Sequence, residues 1–320
     1  MRNPAARWYG RRCDSTLARG GADHHTVDSI SLRAYRHRNG REARPRGGRG
    51  IALRLPSRRR RHHRAAQLTA GGEVRVRLGM ISDVHANLPA LEAALAALRA
   101  EGAEEVWCLG DLLGYGPSPN EVVARVREEA IACSLGGTDE RVVFPFATAR
   151  HAREGVAEAT LVWTREVLDD DHVAWLRTLP VQLRRETPVG ALRGFHGTED
   201  DPAARTDLRM PPRALDKLMA RLGCRLLAAG GTHVPYLRKH GEGFVINPGS
   251  VGLSLNGEPG ADYALIDVAE KPGGVEAPVS VRLGKAEYDV GAVAFDVIAW
   301  GLPPVIADVL RHGRMGGGFH

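Results

Sequence analysis

Six side chains able to hold a metal ion recur along the chain. They are Asp83 and His85 in SDVHAN, Asp111 in LGDLLG, Asp139 in GGTDE, His196 in FHG and His233 in GTHVP. A mixed set of carboxylates and imidazoles suits a divalent transition ion such as Mn, Zn, Fe or Ni, whereas an all-oxygen set would suit Mg or Ca. One carboxylate can bridge two ions about 3.5–4 Å apart, and water bound there loses its proton near pH ~7. The resulting hydroxide is a nucleophile for in-line attack on phosphorus, while the ions neutralise charge developing on the phosphoryl oxygens. Taken singly, each residue has a plainer reading, since a strand-end Asp commonly caps a helix. The six are informative jointly, because each lies where an apolar run ends among glycines.

The elements that must position them alternate. Val74–Ser82 reads as a strand, Leu88–Ala100 as an amphipathic helix with leucines at helical spacing, and Val106–Leu109 as a second strand. Ser118-Pro119-Asn120-Glu121 reads as a capping box that opens a helix ending near Glu129, and Ile131–Leu135 as a third strand. This strand–helix order implies parallel strands with right-handed crossovers, with ligands at the C-terminal strand ends. Beyond it, Ala147–Thr178 reads as helical in two pieces, the second capped at Asp169. Strands follow at Val181–Arg185, Ala191–Phe195, Arg225–Ala229, Tyr236–His240, Phe244–Asn247, Tyr263–Val268 and Val279–Leu283. Further helices are expected at Pro211–Leu222, Val290–Trp300 and Pro304–Arg311.

The segments SDVHANLPAL, CLGDLLGYGPSPNEVV, LGGTDERVV, His196-Gly197, GGTHVPY and INPGSVG resemble those of the calcineurin-like metallophosphoesterases, in the small bacterial and archaeal phosphodiesterase branch. The likeness covers about Val74 to Arg311. It implies an α/β fold, a four-layer α/β/β/α sandwich of two mixed β-sheets, with a dinuclear site at the strand ends. It also implies that Asp83, His85 and His233 hold a first metal, that Asp111 bridges, and that His196 holds a second. Two positions depart from the family pattern. Gly137-Thr138 stands where the family has Asn-His, a metal ligand and a phosphate-contacting residue, and Gly231 stands where it has a further ligand. Asp139, which in the family orients that His, is retained as the catalytic residue of its segment.

The implied activity is hydrolysis of a small phosphodiester or nucleotide phosphoester, with one or two divalent ions, manganese first among them. The departures motivate an alternative, a catalytically weakened one-metal relative that acts as a binding or scaffold protein.

Charge is divided unevenly. Residues 1–73 carry 18 Arg, no Lys and 5 acids, a charge of +13, which leaves −7 for the rest of a chain whose net charge is +6. That Arg-rich leader shows neither helical nor strand period and reads as disordered. It is either an upstream extension produced by a mis-assigned start, a nucleic-acid-binding tail or a targeting segment. Residues 74–320 read as one metallophosphoesterase domain, with a homodimer left open. The chain lacks an apolar run long enough to span a membrane, and its four scattered cysteines suit reduced thiols and a cytoplasmic location.

Overall fold

The computed structural model describes residues 67–68, 74–144, 155–206, 209–269 and 279–316. Among the described residues eleven strands fall into two sheets. The first is built on β2 (Val74–Ile81), whose Val76, Leu78 and Met80 turn to one face while Ile81 turns to the other. Parallel to it run β3 (Glu105–Cys108) and β4 (Ala132–Cys133). On its other side β10 (Ala261–Ala269) and β11 (Val279–Ala286) are antiparallel. The short β1 (Gln67–Leu68) also pairs with β2, so two residues read as leader are strand. The rest of residues 1–73 lies outside the described residues.

The second sheet has the order β5 (Gln182–Thr187), β6 (Gly190–Phe195), β7 (Leu226–Ala229), β9 (Gly243–Asn247), β8 (Tyr236–His240). β6, β7 and β9 are parallel, and the two edge strands are antiparallel to them.

The hydrophobic clusters define the layers. Val76, Leu78, Met80, Trp107 and Leu109 meet Leu192, Leu226, Ala228 and Ile246 between the sheets. Outside the first sheet lie α1 (Leu88–Ala100), which buries Leu91, Leu95 and Leu98, and α2 (Pro119–Glu128), which buries Val122, Val123 and Val126. Outside the second, Phe195, Leu227 and Val245 pack on Leu215, Met219 and Leu222 of α6 (Pro212–Leu222). The architecture is therefore the four-layer α/β/β/α sandwich of two mixed sheets. Fully burying one such side chain stabilises the fold by about 1.5–3 kcal/mol, so a dry seam of this size holds the sheets in fixed register.

Several local expectations are corrected. The Ser118 side chain makes no cap bond. Its neighbour Asn120 instead joins α2 to the later helices, donating to Val167 O at 2.7 Å and accepting from Asp169 N at 2.8 Å. Asp169 likewise makes no side-chain cap. The helical stretch expected from Ala147 appears as α4 (Val156–Val167) and α5 (Asp170–Leu176), and residues 145–154 lie outside the described residues. An unforeseen helix, α3 (Gly137–Val143), begins directly after β4. At the C-terminus α7 (Val290–Ala299) and α8 (Pro304–His312) pack on Val156 and Leu253. Cys108, Cys133 and Cys224 are free thiols; Cys13 lies outside the described residues. Among those residues no helix is long and apolar enough to cross a membrane.

Candidate metal centre

β2 ends in Ser82-Asp83-Val84-His85. Asp83 N donates to Gly110 O (3.0 Å), His85 N to Asp111 O (2.9 Å) and Ala86 N to Leu112 O (2.7 Å), so the loops after β2 and β3 are laced together. The third side is INPGSVG. Val251 N and Gly252 N donate to Ser82 O and Asp83 O, each at 2.9 Å, and Ser250 Oγ donates to Asp83 O at 2.8 Å. From the same segment Asn247 Nδ2 donates to Thr232 Oγ1 at 3.0 Å, which braces the loop carrying His233.

Backbone strain marks the same place. Among the described residues seven non-glycine residues have positive φ, and Asp83 (54°), His85 (47°), Ala86 (51°), Asp111 (54°) and His233 (58°) are five of them. Non-glycine residues enter this region rarely, at a cost of about 1–3 kcal/mol when the surroundings over-determine them.

Five of the six sequence-predicted residues converge, all of them buried. Asp83 Oδ1 lies 3.2 Å from His233 Nε2, 3.8 Å from His196 Nε2 and 3.9 Å from His85 Nε2. Asp111 Oδ2 lies 3.2 Å from His196 Nε2 and 3.9 Å from His85 Nε2. Two overlapping groups result, Asp83-His85-His233 and Asp83-Asp111-His196. Asp83 belongs to both groups, and Asp111 Oδ2 also lies near one histidine of each, His85 and His196.

The hydrogen bonds leave donor atoms aimed at one point. Asp83 Oδ2 accepts from Gly231 N (3.1 Å) and Asp111 Oδ1 from Thr138 N (2.8 Å), which turns the other oxygen of each carboxylate toward the histidines. Asp83 Oδ1 is buried and takes no hydrogen bond among the described residues. His85 Nδ1 donates to Leu113 O (2.9 Å) and His233 Nδ1 to Leu253 O (2.8 Å), which leaves the Nε2 atom of each ring turned toward the cluster. These two nitrogens face each other at 3.1 Å. Two lone pairs at that distance repel unless a cation or proton lies between them, so the donor set fits a metal ion.

The histidines differ in charge. Burial first, and then the neighbouring His233, hold His85 down at about 4, so it is neutral at pH 7. Burial acts in the same direction on His196, but the Asp111 and Asp83 carboxylates outweigh it and raise its imidazole to about 10. Burial likewise works against ionised Asp111, yet the charge and hydrogen bond of His196 hold it below the usual carboxylate range.

The sixth residue, Asp139, belongs to neither group. It sits in the first turn of α3 and accepts from Leu113 N (3.0 Å) and Gly136 N (3.1 Å), fastening the loops that carry Asp111. Burial, reinforced by Asp111, raises its carboxyl to about 7. Gly136 admits no side chain, because a Cβ there would run into Asp111 N and Oδ1.

The glycine substitutions do not leave empty space. A Cβ at Gly137 would sit 3.0 Å from both Ala203 Cα and Pro202 O, so a side chain there would crowd the 202–203 backbone. Gly231 is at φ +77°, with a Cβ position 3.3 Å from His196 Nε2. The sequence also concealed Tyr115, whose ring meets His85 edge-on with centroids 4.8 Å apart. Its flanking glycines, Gly114 and Gly116, were the available signal.

Residues 76–271 match the family model for the calcineurin-like phosphoesterase superfamily domain. The chain belongs to that superfamily. It is 26% identical over 257 residues to a protein of Methanocaldococcus jannaschii, covering 75% of this chain and all of that one. It is also 26% identical over 207 residues to the phosphodiesterase YfcE of Escherichia coli, covering 60% of this chain and 88% of YfcE. Among solved structures, a metallophosphoesterase from Sphaerobacter thermophilus aligns at TM-score 0.58 and 28% identity, covering 74% of this chain and 99% of that one. A Pyrococcus horikoshii protein aligns at TM-score 0.63 and 24% identity, with coverage of 75% and 100%, and shares the fold. These relatives place this calcineurin-like phosphoesterase among the small bacterial and archaeal members.

Proposed function

We propose that this calcineurin-like phosphoesterase hydrolyses a small phosphodiester or nucleotide phosphoester with a divalent transition ion, manganese being our first choice. The observation that carries the reading is the pair of Nε2 atoms of His85 and His233, 3.1 Å apart, with Asp83 Oδ1, which takes no hydrogen bond among the described residues, beside them. Asp83, His85, Asp111 and His233 would hold the first ion, and Asp111 and His196 would contribute to a second. When bound, such an ion polarises phosphoryl oxygens and acidifies water.

The protein's part is preorganisation. The Leu113 and Leu253 carbonyls fix both histidine tautomers, and the Gly231 and Thr138 N–H groups fix both carboxylates. His85, at about 4, binds an ion without first losing a proton, whereas His196, at about 10, must release one. Asp139 would serve the reaction by holding the Asp111 loop through the Leu113 and Gly136 amides. The test is turnover of an activated aryl phosphodiester with Mn, Ni, Co and Zn. Activity lost in His85→Ala is expected, and absence of turnover with all four metals sinks the proposal.

One observation favours the alternative of a one-metal binding protein, namely the 202–203 backbone lying close against Gly137. Elemental analysis after Mn titration separates the two. Close to two ions per chain supports hydrolysis at a dinuclear site, and one ion with no turnover supports the binding protein.

A further inference from the structure

We propose that Tyr115 is a substrate-binding residue whose phenolic O–H donates a hydrogen bond to a phosphoryl oxygen of the substrate. The proposal rests on the phosphoesterase reading above and deepens it.

The five converging side chains provide metal-facing acceptors and imidazoles, and nothing in that set is a neutral donor for a phosphoryl oxygen. Tyr115 stands next to them. Its ring meets His85 at 88° with centroids 4.8 Å apart, and it is half-buried where all five ligands are buried. It therefore sits between the ligand cluster and solvent, where a substrate must enter. Burial acts first on its hydroxyl, and the charges of Asp111, Arg141, Arg205 and Asp83 act on it as well, so it shares the electrostatic surroundings of the two carboxylates. Arg141 is engaged with Glu158, whereas Arg205 is exposed on the 198–206 loop that packs over Gly137.

The backbone supports the same reading. Tyr115 has φ 60°, an unusual conformation for a bulky aromatic residue, and shares it with five residues of the metal centre. The loop is docked where it bends, since Gly116 N donates to His85 O at 3.0 Å and a Cβ at Gly114 would lie 3.6 Å from Thr138 Cβ. Its tip thus adjoins position 138, where a threonine spends its hydroxyl on Leu113 O at 2.9 Å.

The experiment uses the full manganese-loaded chain and the variant Tyr115→Phe, which keeps the ring against His85. Binding of inorganic phosphate is measured by calorimetry, alongside kcat and KM on an aryl phosphodiester and the Kd for Mn. The expected result is phosphate affinity and kcat/KM reduced by roughly 10- to 100-fold, the range for a hydrogen bond to a charged acceptor, with Mn affinity unchanged. Phosphate bound equally well by wild type and Tyr115→Phe overturns the assignment of Tyr115 while leaving the phosphoesterase reading intact. A loss confined to Tyr115→Ala also overturns it, because the ring alone then matters. A wild type that neither binds phosphate nor turns over overturns both readings.

Discussion

Replacing His85 with alanine separates a metal site from a chance meeting of polar side chains. The Nε2 atoms of His85 and His233 confront each other at 3.1 Å beside Asp83 Oδ1, which takes no hydrogen bond among the described residues. An ion that relieves this conflict binds only the folded state. At a free concentration one hundred times its Kd it adds about 2.7 kcal/mol of stability. For a domain of this size, each kcal/mol moves Tm by about 2–4 °C, so excess Mn after chelation should raise Tm by about 5–11 °C. His85→Ala removes one of the ion's direct bonds, and its Mn-induced shift should fall below about 2 °C. The assay is differential scanning calorimetry of the full chain with chelator and then with Mn. His240→Ala is the control, since His240 lies on the β8–β9 hairpin against Asp216 at 2.6 Å and takes no part in the centre. A shift in His85→Ala equal to wild type, or one lost equally in His240→Ala, would refute the reasoning.

Three further outcomes are expected. The folded pKa of His196, about 10, lies above the unfolded value near 6.5, so its charged form stabilises the metal-free protein fully below pH 6.5, and the contribution is lost as pH rises through about 10. Uptake of an ion at His196 should accordingly release one proton and strengthen about tenfold per pH unit between pH 7 and 9; calorimetry in buffers of different ionisation enthalpy reads the proton directly, and its absence contradicts the assignment. Gly137→Asn should destabilise the chain by about 1–3 kcal/mol, as overpacking does, because the contact 3.0 Å away is backbone at 202–203; chemical denaturation measures this. Ser250→Ala removes the bond to Asp83 O and should cost about 1 kcal/mol together with a measurable loss of Mn affinity.

Much of this protein was legible along the chain. β2, α1 and the β8–β9 hairpin follow from period and glycine placement, since burial on one face or two imposes those patterns whatever the tertiary partner. Asp83, His85, Asp111, His196 and His233 stood out because each residue type can ligate and each ends an apolar run. Local signals failed where distant contacts overrode them. Ser118 and Asp169 look like caps, but Asn120 reaches across 49 residues to hold Asp169 N. Asp139 shows in sequence only as an acid at a strand end, and its partners, the amides of Leu113 and Gly136, appear only in the fold.

The tertiary structure alone decided the electrostatics and the steric boundary of the centre. Which nitrogen of His85 and His233 turns toward the cluster depends on carbonyls 28 and 20 residues away. The opposite charge states of His85 and His196 depend on how near two buried carboxylates come, a distance that spacing in sequence does not encode. Gly137 reads as a missing side chain until the 202–203 backbone is seen to lie close against it. Side-chain type determined what this centre is able to bind; the packing of loops from two sheets determined which lone pairs face inward and how much room remains beside them.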